Sequence, residues 1–179
     1  ISTGFVGTAY IMQVLRDNGE LDLAYKLLEN KTYPSWGYSV MNGATTIWER
    51  WNGWTKEGGP GEVNMNSYSH YAYGAVTEWL FDTVAGIDRG EVGFQTFSLR
   101  PKPGGKLKYA KASFNSPYGR LSSAWEKRGK EFHYNLEIPA NTKANVELPT
   151  LKSEHIIVNG VKLKSFTVSN DCICFNLEA

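Results

Sequence analysis

The chain has 179 residues, 41% hydrophobic and 21% charged, with 19 basic and 18 acidic side chains. That length suits one domain or two small ones of ordinary soluble composition, and a net charge of +1 without a basic block argues against a nucleic-acid partner. No apolar run approaches the roughly 20 residues of a membrane span. The two cysteines, Cys172 and Cys174, are too few for a disulfide framework or a metal site, so no metal or other cofactor is expected.

In chain order, Ser2 and Thr3 are candidate caps for a first helix that runs to a stop at Asn18-Gly19, with Ile11, Val14 and Leu15 as its apolar stripe. A second helix spans about Glu20 to Asn30, where Leu21, Ala24, Tyr25 and Leu28 recur at helical spacing. A Gly- and Trp-rich stretch from Lys31 to Met65 follows. A loop of that length inside a domain is usually functional or disordered, and its many aromatic rings argue for order. A third helix is expected over Asn66 to Gly86, with Tyr68, Tyr71, Ala72, Ala75, Trp79 and Thr83 on one side.

Near Gly90 the period changes from helical to alternating. Leu121, Ser123 and Trp125 share a strand face, as do Phe132, Tyr134, Leu136 and Ile138. Val146 and Leu148, then Ile173, Phe175 and Leu177, continue the pattern, and Asn159-Gly160 is a two-residue hairpin signal. Read this way, residues 1–89 form a helical part and residues 90–179 an antiparallel β-sandwich, an α+β chain. Trp125, Phe132, Tyr134, Leu136, Ile138 and Phe175 are its expected core. Three helices are too few to bury their apolar faces alone, so the helical part reads as a portion of a larger helical domain.

The stretch Gly43-Ala44-Thr45-Thr46-Ile47-Trp48-Glu49-Arg50-Trp51 resembles a signature of bacterial α-L-rhamnosidases, glycoside hydrolase family 78. The resemblance extends in order along almost the whole chain. It includes Ser2 to Thr8, Asp22 to Tyr25, Tyr33-Pro34-Ser35-Trp36-Gly37-Tyr38, and Asn66 to Val76. Leu99-Arg100-Pro101 and Ser116-Pro117-Tyr118-Gly119 resemble the opening of the family's C-terminal β domain. The pattern departs at Ser69, where family members often carry Asn just before the histidine. The resemblance implies the C-terminal part of an (α/α)6 toroid followed by a β-sandwich. It also implies hydrolysis of terminal α-L-rhamnosides with inversion, by two carboxyl groups on opposite sides of the sugar.

Read without the family, Glu49 is a carboxylate beside Arg50, and an ion pair between them is the simplest account. The resemblance instead makes Glu49 the catalytic base. It makes His70, otherwise a packed helix histidine, a donor to a rhamnose hydroxyl. Trp51, Trp54 and Trp36 are candidates to stack on a sugar face or to wall the loop's own small core. Nothing in the chain resembles the family's acidic motif that supplies the general acid. The partner implied is a rhamnose-containing glycoside. This stretch alone is expected to be inactive and to self-associate through uncovered helix faces. The rival is a non-catalytic carbohydrate-binding or structural module, which a row of exposed aromatics on the sandwich would favour. The compartment is left open, since a chain that opens at Ile1 shows no signal-peptide pattern.

Overall fold

A computed structural model describes residues 3–149, 156–169 and 172–178. The chain divides into two compact units, Ile1–Trp79 and Leu80–Ala179.

The first unit opens with α1 (Gly4–Asp17) and α2 (Leu21–Leu28). Ser2 lies outside the described residues, and Thr3, at the N-cap position, makes no capping hydrogen bond. The Asn18-Gly19 stop is realised in full. Gly19 is left-handed at φ 82°, Glu20 N–H donates to Leu15 O, and Gly19 N–H donates to Arg16 O, the paired bonds of a Schellman ending. On α2 the expected stripe is buried at Ala24 and Tyr25 and partly buried at Leu21 and Leu28. On α1 it is Thr8 and Met12 that are buried, and Val14 is exposed.

The stretch expected to be a long loop contains a third helix, α3 (Trp36–Met41), where Ser35 Oγ accepts from Tyr38 N–H at 3.0 Å. A two-strand hairpin, β1 (Trp54–Thr55) and β2 (Gly59–Pro60), follows. The helix expected over Asn66 to Gly86 is shorter. Residues 66–71 are irregular, a 3-10 turn covers Ala72–Ala75, and α4 is Val76–Trp79. The cause is a competing set of partners. His70 N–H donates to Ile47 O, Ser67 N–H to the Glu49 carboxylate, and Thr46 Oγ1 to Tyr68 O. Backbone groups committed to the 46–49 segment cannot close helical i to i−4 rings. Tyr68 and Tyr71 are therefore exposed, and Tyr73 is the buried tyrosine of this segment.

The second unit begins with a π-helical turn, Leu80–Val84, and holds the remaining strands. These are β3 (Ile87–Arg89), β4 (Thr96–Leu99), β5 (Tyr109–Ser116), β6 (Gly119–Arg128) and β7 (Glu131–Glu137). Then come β8 (Lys143–Leu148), β9 (Ile157–Val158), β10 (Val161–Lys162), β11 (Thr167–Ser169) and β12 (Cys172–Glu178). One sheet has the order β11-β12-β8-β4-β3 and another the order β5-β6-β7. Leu121 from the second sheet packs with Phe97, Leu99, Val146 and Ile173 from the first in one core, all at 1% exposure or less. Ile87 of β3 belongs to that core, so the sheet begins before residue 90.

The sandwich is not wholly antiparallel, because β4 pairs with β8 in parallel. The chain leaves β4, builds the whole β5–β7 sheet, and returns as β8. A crossover of that length is what a parallel pair requires. Trp125 and Phe175 are buried as expected, whereas Phe132, Tyr134, Leu136 and Ile138 are only partly buried. The Asn159-Gly160 hairpin forms, with both turn residues at positive φ (51° and 80°) between β9 and β10, as a type I′ turn needs. Cys172 and Cys174 lie on the face of β12 opposite Ile173 and Phe175. Among the described residues, no helix is long and apolar enough to cross a membrane.

Candidate active site

The first unit contains an open cleft of about 540 Å³, and Phe5, Tyr33, Glu49, Arg50, Trp51 and Tyr73 are among the residues that line it. The loop after α3 brings Glu49 there. Buried Ser39 on α3 holds this loop by donating its hydroxyl to Trp51 O at 3.0 Å. Trp51 stacks on Tyr73 at 3.9 Å between ring centroids and meets Trp36 edge-on at 5.4 Å. Trp36 Nε1–H donates to Tyr73 O at 2.9 Å. Trp36 and Trp51 thus build a small aromatic core beneath the loop, and Trp51 also forms part of the cleft wall.

Glu49 is half-buried and held at two points by one residue. Its own N–H donates to Ser67 O at 2.9 Å, and its Oε2 accepts from Ser67 N–H at 2.8 Å. Among the described residues no protein donor is recorded on Oε1. The structure does not hold the ion pair with Arg50 that sequence alone suggests. Arg50 Nη1 instead lies 3.7 Å from Glu62 Oε2, both side chains being well exposed. A carboxylate with one oxygen anchored and the other open to a cleft is equipped to take a proton from water.

His70 is not among the residues that line this cleft. It stacks on Phe5 at 4.9 Å, and Phe5 does line it. Its Nδ1 accepts from Ala72 N–H at 3.3 Å, which leaves Nε2 as the nitrogen that can face a ligand. Glu49 and His70 are tied through adjacent stretches of the same paired segments, 47–49 and 67–70. Trp54 is elsewhere, lining a second, shallower cleft of about 340 Å³ with Trp48 and Tyr68.

Sequence reasoning missed Phe5, Tyr33 and Tyr73 as cleft residues, though all three lie within the stretches that carry the resemblance. Burial, and then the neighbouring Tyr33, push the Tyr73 phenol above its ordinary value. It therefore offers the cleft a neutral hydroxyl at physiological pH. Among the described residues no cluster of His, Cys, Asp and Glu is arranged to hold a metal ion.

Residues 1–84 match the bacterial alpha-L-rhamnosidase 6 hairpin glycosidase domain, and residues 86–162 match the bacterial alpha-L-rhamnosidase C-terminal domain. The chain belongs to the bacterial α-L-rhamnosidase family. It is 45% identical over 170 residues to an alpha-L-rhamnosidase of Formosa agariphila, covering 92% of this chain and 18% of that protein. A crystal structure of Streptomyces avermitilis alpha-L-rhamnosidase complexed with L-rhamnose superposes with a TM-score of 0.87 at 38% identity. That match covers 98% of this chain and 17% of the other. The alpha-L-rhamnosidase from Dictyoglumus thermophilum gives a TM-score of 0.80 at 33% identity, over 97% of this chain and 20% of that one. The chain thus spans less than a fifth of the length of the Formosa relative and carries the end of a rhamnosidase helical domain with its β domain.

Proposed function

We propose that this chain supplies the base half of the active site of an inverting α-L-rhamnosidase. Its helical part, which ends before the first sandwich strand at Ile87, belongs to an (α/α)6 toroid, and the β-sandwich follows. The substrate is a glycoside with a terminal α-L-rhamnose. The observation that carries the reading is the state of Glu49, with Oε2 tied to Ser67 N–H and Oε1 free beside an open cleft. In the reaction, Glu49 takes a proton from a water, whose oxygen attacks the anomeric carbon. A second carboxylic acid, on the far side of the sugar, protonates the departing oxygen. An inverting pair stands about 6.5–9.5 Å apart, which leaves room for that water. His70 and Tyr73 are proposed to hold sugar hydroxyls, with Trp51 as an apolar wall and Trp36 supporting it from beneath. Trp54, in the second cleft, is assigned to more distant parts of a glycoside.

Against a binding module on the sandwich stands the burial of Trp125, while Tyr109, Phe114 and Tyr118 are among its exposed aromatics. The test compares the full-length enzyme carrying this sequence with its Glu49→Gln variant on an aryl α-L-rhamnoside, following the anomer first released by NMR. Loss of turnover with the β-anomer as the wild-type product supports the assignment. Retention of configuration, or near-normal turnover of the variant, would overturn it.

A further inference from the structure

The geometry assigns Asn66 and Tyr68 as positioning residues for Glu49, acting through the carbonyl of Gly53; the inference rests on Glu49 being the base. Three donors converge on that oxygen. They are Gly61 N–H at 2.8 Å, Asn66 Nδ2 at 2.9 Å and the Tyr68 hydroxyl at 2.9 Å. Gly53 is buried, and a side chain there would displace Asn66, since a Cβ would lie 2.6 Å from Asn66 Oδ1. Asn66 Oδ1 is itself buried without a donor. That unsatisfied acceptor costs stability, and it is the Nδ2 side of Asn66 that makes the bond to Gly53 O.

Between Asn66 and Tyr68 sits Ser67, whose N–H holds Glu49 Oε2. The residues on either side of the carboxylate's anchor are thus both fastened to the far end of the loop that carries Glu49. Residues 66–68 have no helix or sheet to fix them, so these side-chain bonds, together with the bonds of Ser67 O, Tyr68 O and His70 N–H to the 46–49 segment, set where the Ser67 amide points. With the bonds gone, the amide and the carboxylate on it gain freedom. A catalytic group misplaced by about 1 Å can lose up to about 10²-fold in rate.

The test uses the full-length enzyme with Tyr68→Phe, Asn66→Ala and Glu49→Ala, assayed on an activated aryl α-L-rhamnoside with and without sodium azide. Tyr68→Phe deletes only the hydroxyl and keeps the ring against Trp48, so it should fold even if Asn66→Ala does not. Azide needs no base. Its nitrogen bonds to the anomeric carbon as the carbon–oxygen bond to the aryl group breaks, and the general acid gives that oxygen a proton. The products are the inverted rhamnosyl azide and the free phenol. The expected result is a kcat lowered about tenfold or more in Tyr68→Phe and Asn66→Ala with KM little changed, and no further loss of the azide-supported rate when Tyr68→Phe is added to Glu49→Ala. A normal kcat in Tyr68→Phe while Glu49→Ala is impaired and rescued would overturn the positioning role and leave the base assignment standing. A further loss of the azide-supported rate in the double variant would also overturn it, by showing that Tyr68 acts other than through Glu49. An unimpaired Glu49→Ala would remove both.

Discussion

Glu49 is one carboxylate among the 18 acidic residues of the chain, and only its surroundings set it apart. Its backbone and one oxygen are spoken for by Ser67, so the side chain cannot swing to the exposed Arg50. Base catalysis of this kind is worth about 10²–10⁴-fold, and Glu49→Gln in the full-length enzyme should lose turnover in that range with intact folding by circular dichroism. A second residue makes a prediction about pH. The Tyr134 hydroxyl meets buried Ser123 at 3.0 Å. Burial pushes its phenol well above the ordinary value, with the Ser123 bond pulling the other way. The folded protein therefore holds this proton more tightly than the unfolded chain does. The contribution is complete below the unfolded value of about 10 and is lost as pH rises past it. Melting temperatures measured from about pH 8 to pH 11 should fall less steeply in Tyr134→Phe than in the parent chain; parallel curves would contradict this.

At the scale of elements, the sequence is most readable where a local rule decides and least where a distant partner does. The ends of α1 and of the β9–β10 hairpin are written in Asn18-Gly19 and Asn159-Gly160, whose left-handed conformations are a property of those residues. The buried alternation of Leu121, Ser123 and Trp125 along β6 is equally local. The segment from Asn66 to His70 fails as a helix although its spacing is helical, because its polar backbone is claimed by residues about twenty positions earlier. Val14 fails as a core residue for the opposite reason, since the face it occupies has no neighbour among the described residues. The parallel β4–β8 pair leaves no local trace at all, being set by how far the intervening chain travels. The site follows the same rule. The motif points to Glu49, which lines the cleft, whereas Phe5, Tyr33 and Tyr73 reach it through tertiary packing. The hairpin offers a direct check. Gly160→Ala places a side chain in left-handed backbone, which costs roughly 1 kcal/mol or more, and should lower the melting temperature by a few degrees; no change in a thermal scan would show the turn is not needed.

For the molecule as a whole, α1 presents an unusual outward face. Val6, Tyr10 and Val14 recur every four residues and are 78%, 64% and 54% exposed. Such a stripe is what a helix inside a toroid turns towards its next neighbour, and in this chain alone it meets water. The isolated chain is therefore expected to associate at micromolar concentrations in sedimentation velocity, and Val6→Lys with Tyr10→Lys should shift it towards monomer. It should also show no turnover of an aryl α-L-rhamnoside, for want of the general acid. A monodisperse wild-type monomer, or measurable turnover, would count against this account.

The carbonyls of Val84 and Ala85 are taken by side chains of β6, the Trp125 indole N–H and the Ser123 hydroxyl. Thr83 O and Gly86 O receive the backbone amides of Lys102 and Arg100. The π-helical turn is therefore bound, in kinetic terms, to the strands that follow it. Under native-state deuterium exchange the Ala85 amide, bonded to Leu80 O, should open in the same cooperative event as β4 and β6. A β domain cut to begin at Gly90 would strand the buried Trp125 indole N–H, leave the Ser123 hydroxyl only its contact with Tyr134, and uncover the edge of β4. A piece beginning at Leu80, where the compact unit starts, is therefore expected to fold where one beginning at Gly90 does not, the last turn of the helical stretch being inherited by the sandwich.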